Sequence, residues 1–189
     1  MSALDFLNSR LSVPSRQLGE PAPSPEQLEQ LLAAAIRAPD HGKLMPARLV
    51  LIRGETRAKL GERLAEIHRG SEPDAPESVF QKDRERYKFA PLIVCVVARV
   101  DEHHPKVPAQ EQILSAGCVA YNLLLGAQTL GYGAQWLTGW AAYDREAAAL
   151  LGLAEEERVI GFVHIGTVLK PATEGPRPAL AEVVRELAL

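Results

Sequence analysis

The chain has 189 residues, of which 47% are hydrophobic and 24% are charged, and this predicts one globular domain over residues 1–189. Its net charge of −3 excludes the positive field that holds nucleic acid non-specifically. The two cysteines, Cys95 and Cys118, lie in apolar runs and are predicted to be small buried side chains, which favours a reducing, cytoplasmic setting. Residues 112–143 carry no charge, but their polar residues and glycines favour a buried helix and strand over a membrane span.

Hydrophobic spacing predicts helices and one strand in the first half of the chain. A short helix over Ala3–Arg10 is followed by a proline-rich connector. Ser24, Pro25 and Gln27 are the start signals of a second helix, which is predicted to end near Arg37. The next predicted elements are a strand at Ala47–Arg53, an amphipathic helix at Glu55–Arg69 and a charged helical segment at Glu77–Lys88.

The second half is more apolar. Leu92–Val100 is a continuous run rich in β-branched residues, which is typical of a central strand covered on both faces. Ala109–Leu130 predicts a helix so apolar that it needs cover on nearly all sides, and a dimer interface would supply that cover. The remaining predicted elements are a strand at Ala134–Thr138, a helix at Arg145–Leu151, a strand at Val159–Val168, and a helix or intersubunit arm at Ala179–Leu189. This alternation predicts an α/β sandwich.

Motifs for several common chemistries are missing from the sequence. There is no Gly-x-Gly-x-x-Gly after a strand, no phosphate-binding P-loop, no paired Cys-x-x-Cys and no Gly-x-Ser-x-Gly. Arg10, Ser12 and Arg16 do combine cationic groups with a hydroxyl, which is what a phosphate monoester requires. The alternative is a solvated loop, the usual setting of such side chains.

Two further clusters have both a structural and a functional interpretation. Arg37 at a helix end is explained by the helix dipole, but that does not explain why His41 and Lys43 follow so closely. Trp136 and Thr138 at the end of a strand indicate either a core tryptophan or backbone contact to a planar ligand.

In this order along the chain, the clusters resemble the nitroreductase superfamily, and most of all its minimal branch of small YdjA-like proteins. The matching segments are Asn8–Ser12, Glu20–Pro23, Arg37–His41, Pro91–Ile93, Lys106–Pro108, Glu111–Gly117, Trp136–Gly139 and Ile160–Thr167. The resemblance implies an α/β sandwich whose mixed central sheet is flanked by helices. It also implies an intertwined homodimer with FMN at the subunit interface.

The resemblance also implies a role for each matching residue. Arg10, Leu11 and Ser12 would hold the FMN phosphate and ribityl chain, and Arg37 and His41 would reach the flavin of the other subunit. The residues that would line the isoalloxazine, mostly through backbone groups, are Trp136, Leu137 and Thr138. The segment corresponding to the family's proposed NAD(P) contact consists of Gly126, Ala127, Gln128, Thr129, Leu130 and Gly131.

Two positions depart from the family pattern. Leu11 stands where a second arginine is usual, so one cation is missing. Met45 stands where a polar residue usually precedes a Pro-Trp pair, so one hydrogen bond and one aromatic wall to the flavin are missing. Arg16 and Lys43 are candidates to compensate.

The implied function is that of an FMN-dependent oxidoreductase that passes hydride from NAD(P)H through FMN to nitro or quinone-type acceptors in a ping-pong sequence. Neither a catalytic nucleophile nor a metal is expected. Arg37, and after it Arg10, is the candidate cation for stabilising the reduced flavin. Two alternatives stay open: a flavin-binding dimeric sensor with little turnover, and a cofactor-free α/β binding protein.

Overall fold

The computed structural model describes residues 2–188 as a five-stranded sheet with helices packed on both faces. The α-helices are α1 (Ala3–Ser9), α2 (Pro25–Ala35), α3 (Thr56–Ser71), α4 (Glu77–Arg86), α5 (Ala109–Thr129), α6 (Arg145–Leu150) and α7 (Leu180–Val183). The strands are β1 (Leu18–Gly19), β2 (Ala47–Arg53), β3 (Leu92–Arg99), β4 (Gly133–Leu137) and β5 (Glu157–Val168). Short 3₁₀ turns lie at Ser15–Gln17, His41–Lys43 and Trp140–Ala142.

The sheet has the order β1-β5-β3-β2, and β4 also pairs with β5. The predicted α/β sandwich is confirmed, but each strand pairing within residues 2–188 is antiparallel, where a mixed sheet was expected. An apolar run indicates that a strand is covered on both faces, but it does not show whether the neighbouring strands are parallel. In this sheet, helices cover both faces of antiparallel strands.

Strand β3 forms the centre of the core, as its apolar run predicted. Alternate side chains of a strand point to opposite faces. Val94 and Val96 therefore pack with α2 and α5, while Ile93 and Cys95 pack with α3 and the end of α4. Burial raises the pKa of the Cys95 thiol to about 12, so this cysteine behaves as an inert apolar side chain.

Helix α5 buries one face against the sheet and leaves the other face open. The open face is apolar: Leu114 is 60% exposed, Tyr121 is 40% exposed, and Cys118 between them is exposed. The prediction that Cys118 is buried is therefore wrong for a single chain. An apolar run along a helix places its members on all sides of the axis, so it does not bury each of them. Within the described residues, no helix combines the length and apolarity needed to cross a membrane.

Candidate functional site

The segment that follows α1 runs along the outer edge of β4. The backbone N–H of Val13 donates to the carbonyl of Ala134 at 3.0 Å. The N–H of Ser15 donates to the side-chain oxygen of Gln135 at 2.6 Å. These bonds place the predicted phosphate-binding residues directly beside the strand predicted to line the flavin ring.

Gln128, near the end of α5, holds the same segment from the other side. Its carboxamide oxygen accepts from the Leu11 N–H at 3.3 Å, and its carboxamide nitrogen donates to the Ser9 carbonyl at 3.4 Å. The family resemblance implies NAD(P) contact for Gln128. The structure shows it bonded to the chain on both sides of Arg10.

The predicted phosphate cluster gains a cation that the sequence did not reveal. Arg10 is half-buried and donates to the Ser12 hydroxyl at 3.3 Å, and Arg16 is exposed nearby in the chain. Arg177, from the C-terminal tail, donates to the Arg10 carbonyl at 3.1 Å. The guanidinium of Arg177 thus lies beside the segment where Leu11 replaces the family's second arginine.

Trp136 is a packed core tryptophan, and contact of its backbone with a planar ligand stays a prediction. Its indole N–H donates to the Ile160 carbonyl at 3.1 Å and its ring lies against Gly161, so the side chain is committed to packing. Its backbone is different. Because the Ala134 carbonyl faces Val13, the backbone groups of Trp136, two residues further along, project from the same outer edge of β4. By the same alternation the backbone groups of Leu137 face β5, and Thr138 follows the end of the strand.

The glycines of the predicted NAD(P) segment have structural roles. A side chain at Gly126 would lie 2.5 Å from Leu31, so Gly126 permits the close approach of α2 and α5. Gly131 has a φ of +86° and ends α5 in a Schellman motif. Its N–H donates to the carbonyl of Gln128, and the N–H of Tyr132 donates to that of Ala127. Contact of this segment with NAD(P) stays a prediction.

His41 lies at the opposite end of α5. Arg37 lies nearer the middle of the helix, between Ala35, whose carbonyl accepts from Asn122, and Pro39, whose carbonyl accepts from Ser115. His41 Nδ1 is 2.6 Å from the Glu111 carboxylate, in the first turn of α5, and both side chains are half-exposed. Glu111 and Gln128 are about 25 Å apart along the helix at 1.5 Å per residue. Within one chain, His41 is therefore far from the Arg10 segment that Gln128 holds.

Met45, one of the two residues that depart from the family pattern, lies in a turn with a strained backbone. Lys43 and Met45 have φ values of +55° and +49°, and the Asp40 carboxylate accepts from the Met45 N–H at 2.8 Å. The Met45 side chain is 73% exposed and borders a cleft of about 730 Å³. Arg10 and Trp136 do not line this cleft. The contact from Asp40 is a second feature that sequence reasoning missed.

The family assignment follows from comparison with known proteins. A family model described as "Nitroreductase family" matches residues 7–167. The chain belongs to the nitroreductase family. The resemblance seen in the sequence is thereby confirmed.

Two relatives from bacteria carry informative names. A Haemophilus influenzae protein named "Putative NAD(P)H nitroreductase" is 39% identical over 172 residues, which cover 91% of each chain. The Escherichia coli K12 protein "Putative NAD(P)H nitroreductase YdjA" is 37% identical over 169 residues, which cover 88% of each chain.

A solved structure supports the fold. A Desulfovibrio desulfuricans protein described as a "putative nitroreductase in complex with fmn" matches with a TM-score of 0.75 and 21% identity, covering 98% of this chain and 96% of its own. At this level of identity, the match supports a shared fold and nothing further.

Proposed function

We propose that this protein is an FMN-dependent oxidoreductase that takes hydride from NAD(P)H and passes electrons to a small acceptor such as a nitro compound or a quinone. The proposal rests on one observation. The hydrogen bond from Val13 to Ala134 joins the Arg10–Ser12 segment to the strand edge that carries the backbone of Trp136. Phosphate-binding groups and a row of backbone donors and acceptors therefore share one site.

The residues present fit FMN. Arg10 and Arg177 supply guanidinium groups and Ser12 a hydroxyl, the donor set that suits a phosphate monoester. The outer edge of β4 beyond Ala134 has no strand partner within residues 2–188, so its N–H and carbonyl groups suit the alternating acceptors and donors of an isoalloxazine edge. Bound FMN would supply the hydride chemistry, and the chain would supply position and electrostatic field.

The active unit in this proposal is a homodimer built on α5. Leu114, Cys118 and Tyr121 form an exposed apolar stripe, spaced as on one face of a helix. Two α5 helices packed antiparallel about a twofold axis between Cys118 and Tyr121 would cover both stripes. In that arrangement Glu111 lies opposite Gln128 of the partner subunit.

This pairing would complete the site. His41, which lies at the Glu111 end of α5, would meet the Arg10 segment of the other subunit, which is tied to the Gln128 end. Arg37 would approach the same site from nearer the middle of α5. The separation of about 25 Å within one chain is then the reason that each flavin needs two chains. The exposed apolar residues of the tail, among them Leu180 and Leu187, suit an arm lying on the partner.

The proposal is tested with the purified wild-type protein. We expect a yellow preparation with an FMN spectrum and two FMN molecules per dimer. Anaerobic NADH or NADPH should bleach it, and a nitroaromatic or a quinone should restore the colour. A colourless protein that does not bind added FMN would contradict flavin binding. A yellow protein that neither nucleotide bleaches would instead be the flavin-binding sensor, which the departures at Leu11 and Met45 keep as the second candidate.

A further inference from the structure

The turn that ends β4 has an unusual backbone. Gly139 has a φ of +89° and a ψ of −178°, a combination that is essentially restricted to glycine. A side chain at this position would collide with the guanidinium of Arg86, which therefore lies directly against the turn. The turn connects Thr138, at the flavin-facing edge in the proposed function, to the 3₁₀ turn at Trp140.

Two side chains of helix α4 form hydrogen bonds with this turn. Arg86 donates to the Thr138 carbonyl at 3.2 Å, and the Asp83 carboxylate accepts from the Trp140 indole N–H at 3.1 Å. Residues three apart lie on the same face of a helix, so Asp83 and Arg86 act together on the turn. The other oxygen of Asp83 lies 2.6 Å from Nδ1 of His68. The His68 ring packs against that of Trp140 with 4.4 Å between the centroids and a tilt of 35°.

The position of Arg86 is not explained by pairing with an acid. Charged side chains are almost never fully buried unless they are paired. Arg86 is half-buried, and it forms no ion pair with any residue in the part of the chain that the structure describes. Its neighbour His164 is fully buried and uncharged, because burial, aided by the charge of Arg86, lowers the pKa of His164 to about 3. Of these two neighbours, Arg86 is the one that carries a positive charge at neutral pH.

We propose that Arg86 and Asp83 are positioning residues that fix the orientation of the Thr138–Gly139 peptide toward the bound flavin. In a trans peptide the carbonyl and the N–H point in opposite directions. With the Thr138 carbonyl held by Arg86, the Gly139 N–H points away from α4 and is available to the ring edge of the flavin. The inference rests on the proposed function, because it assigns a role at the same flavin site.

The test compares FMN dissociation constants, measured by titrating apoprotein, and the two-electron midpoint potential of bound FMN. Arg86→Met should weaken FMN binding about threefold to tenfold, the effect of one lost hydrogen bond. It should also make the potential more negative, since a nearby cation favours the electron-rich form. Arg86→Lys keeps the charge and a donor and should recover most of the potential. Trp140→Phe removes the donor to Asp83 and should weaken binding with a smaller change in potential.

Lys82→Gln is the matched control, because Lys82 is an exposed cation on the same helix. It should bind FMN as the wild type does. If Arg86 only stabilises the fold, Arg86→Met would lower the melting temperature while its folded fraction keeps the wild-type dissociation constant and potential, and this result would overturn the inference. If the wild type and Lys82→Gln both fail to bind FMN, the proposed function itself fails.

Discussion

Gln128→Met removes the two hydrogen bonds that hold the Arg10 segment and keeps the side-chain volume. The two bonds, at 3.3 and 3.4 Å, are long, so each should contribute at the lower end of the usual range, about 0.5–1 kcal/mol. Without them the segment samples other conformations, and FMN binding must supply the free energy to order it. A loss of about 1–2 kcal/mol corresponds to FMN affinity about fivefold to thirtyfold weaker.

The assay is a titration of apoprotein with FMN, followed by the change in flavin fluorescence. Gln30→Met is the matched control, because Gln30 is an exposed glutamine on α2 whose side chain forms no hydrogen bond within residues 2–188. The control should bind like the wild type. A Gln128→Met protein whose dissociation constant stays within about twofold of the wild type would refute the role assigned to these bonds.

Three further predictions follow from the same structure. Arg10→Ala should purify without FMN, and a fully flavin-loaded variant would show that the phosphate assignment is wrong. Leu114→Asp should be a monomer by light scattering, with Cys118 open to alkylation, whereas a monomeric wild type would contradict the α5 interface. The pKa of His164 is lowered from 6.5 to about 3, so unfolded chains gain a proton that the folded protein excludes. Unfolding free energy should therefore fall by up to about 1.4 kcal/mol per pH unit as pH drops from 6.5 toward 3, and His164→Leu should lose this component. Identical pH slopes in the two proteins would count against it.

Local sequence signals predicted the elements of the fold well. The strand Ala47–Arg53 has its predicted bounds, and the predicted capping box at Ser24 is present, with the Gln27 N–H donating to the Ser24 hydroxyl at 3.2 Å. These signals depend on side chains a few residues apart. They could not show that the sheet is antiparallel, because burial on both faces is compatible with either direction.

Much of the site depends on contacts between distant parts of the chain. Arg177 meets Arg10 across 167 positions, and Arg86 meets Thr138 across 52. Neither hydrophobic periodicity nor the spacing of motifs predicts contacts between residues so far apart in the chain. Only the fold shows that His41 contacts one end of α5 and that Gln128 lies near the other end, although the family resemblance had already assigned His41 to the other subunit.

The central claim is that each flavin is held by Arg10 of one chain and by Arg37 and His41 of the other. Subunit complementation tests it most directly. Arg10→Ala chains and chains carrying Arg37→Ala with His41→Ala are purified separately, then mixed, unfolded and refolded, and the heterodimer is isolated by its two affinity tags. Neither parent homodimer should retain FMN, whereas the heterodimer should bind one FMN per dimer, because one of its two sites has all three residues intact. A heterodimer that binds no more FMN than its parents would contradict the intersubunit site.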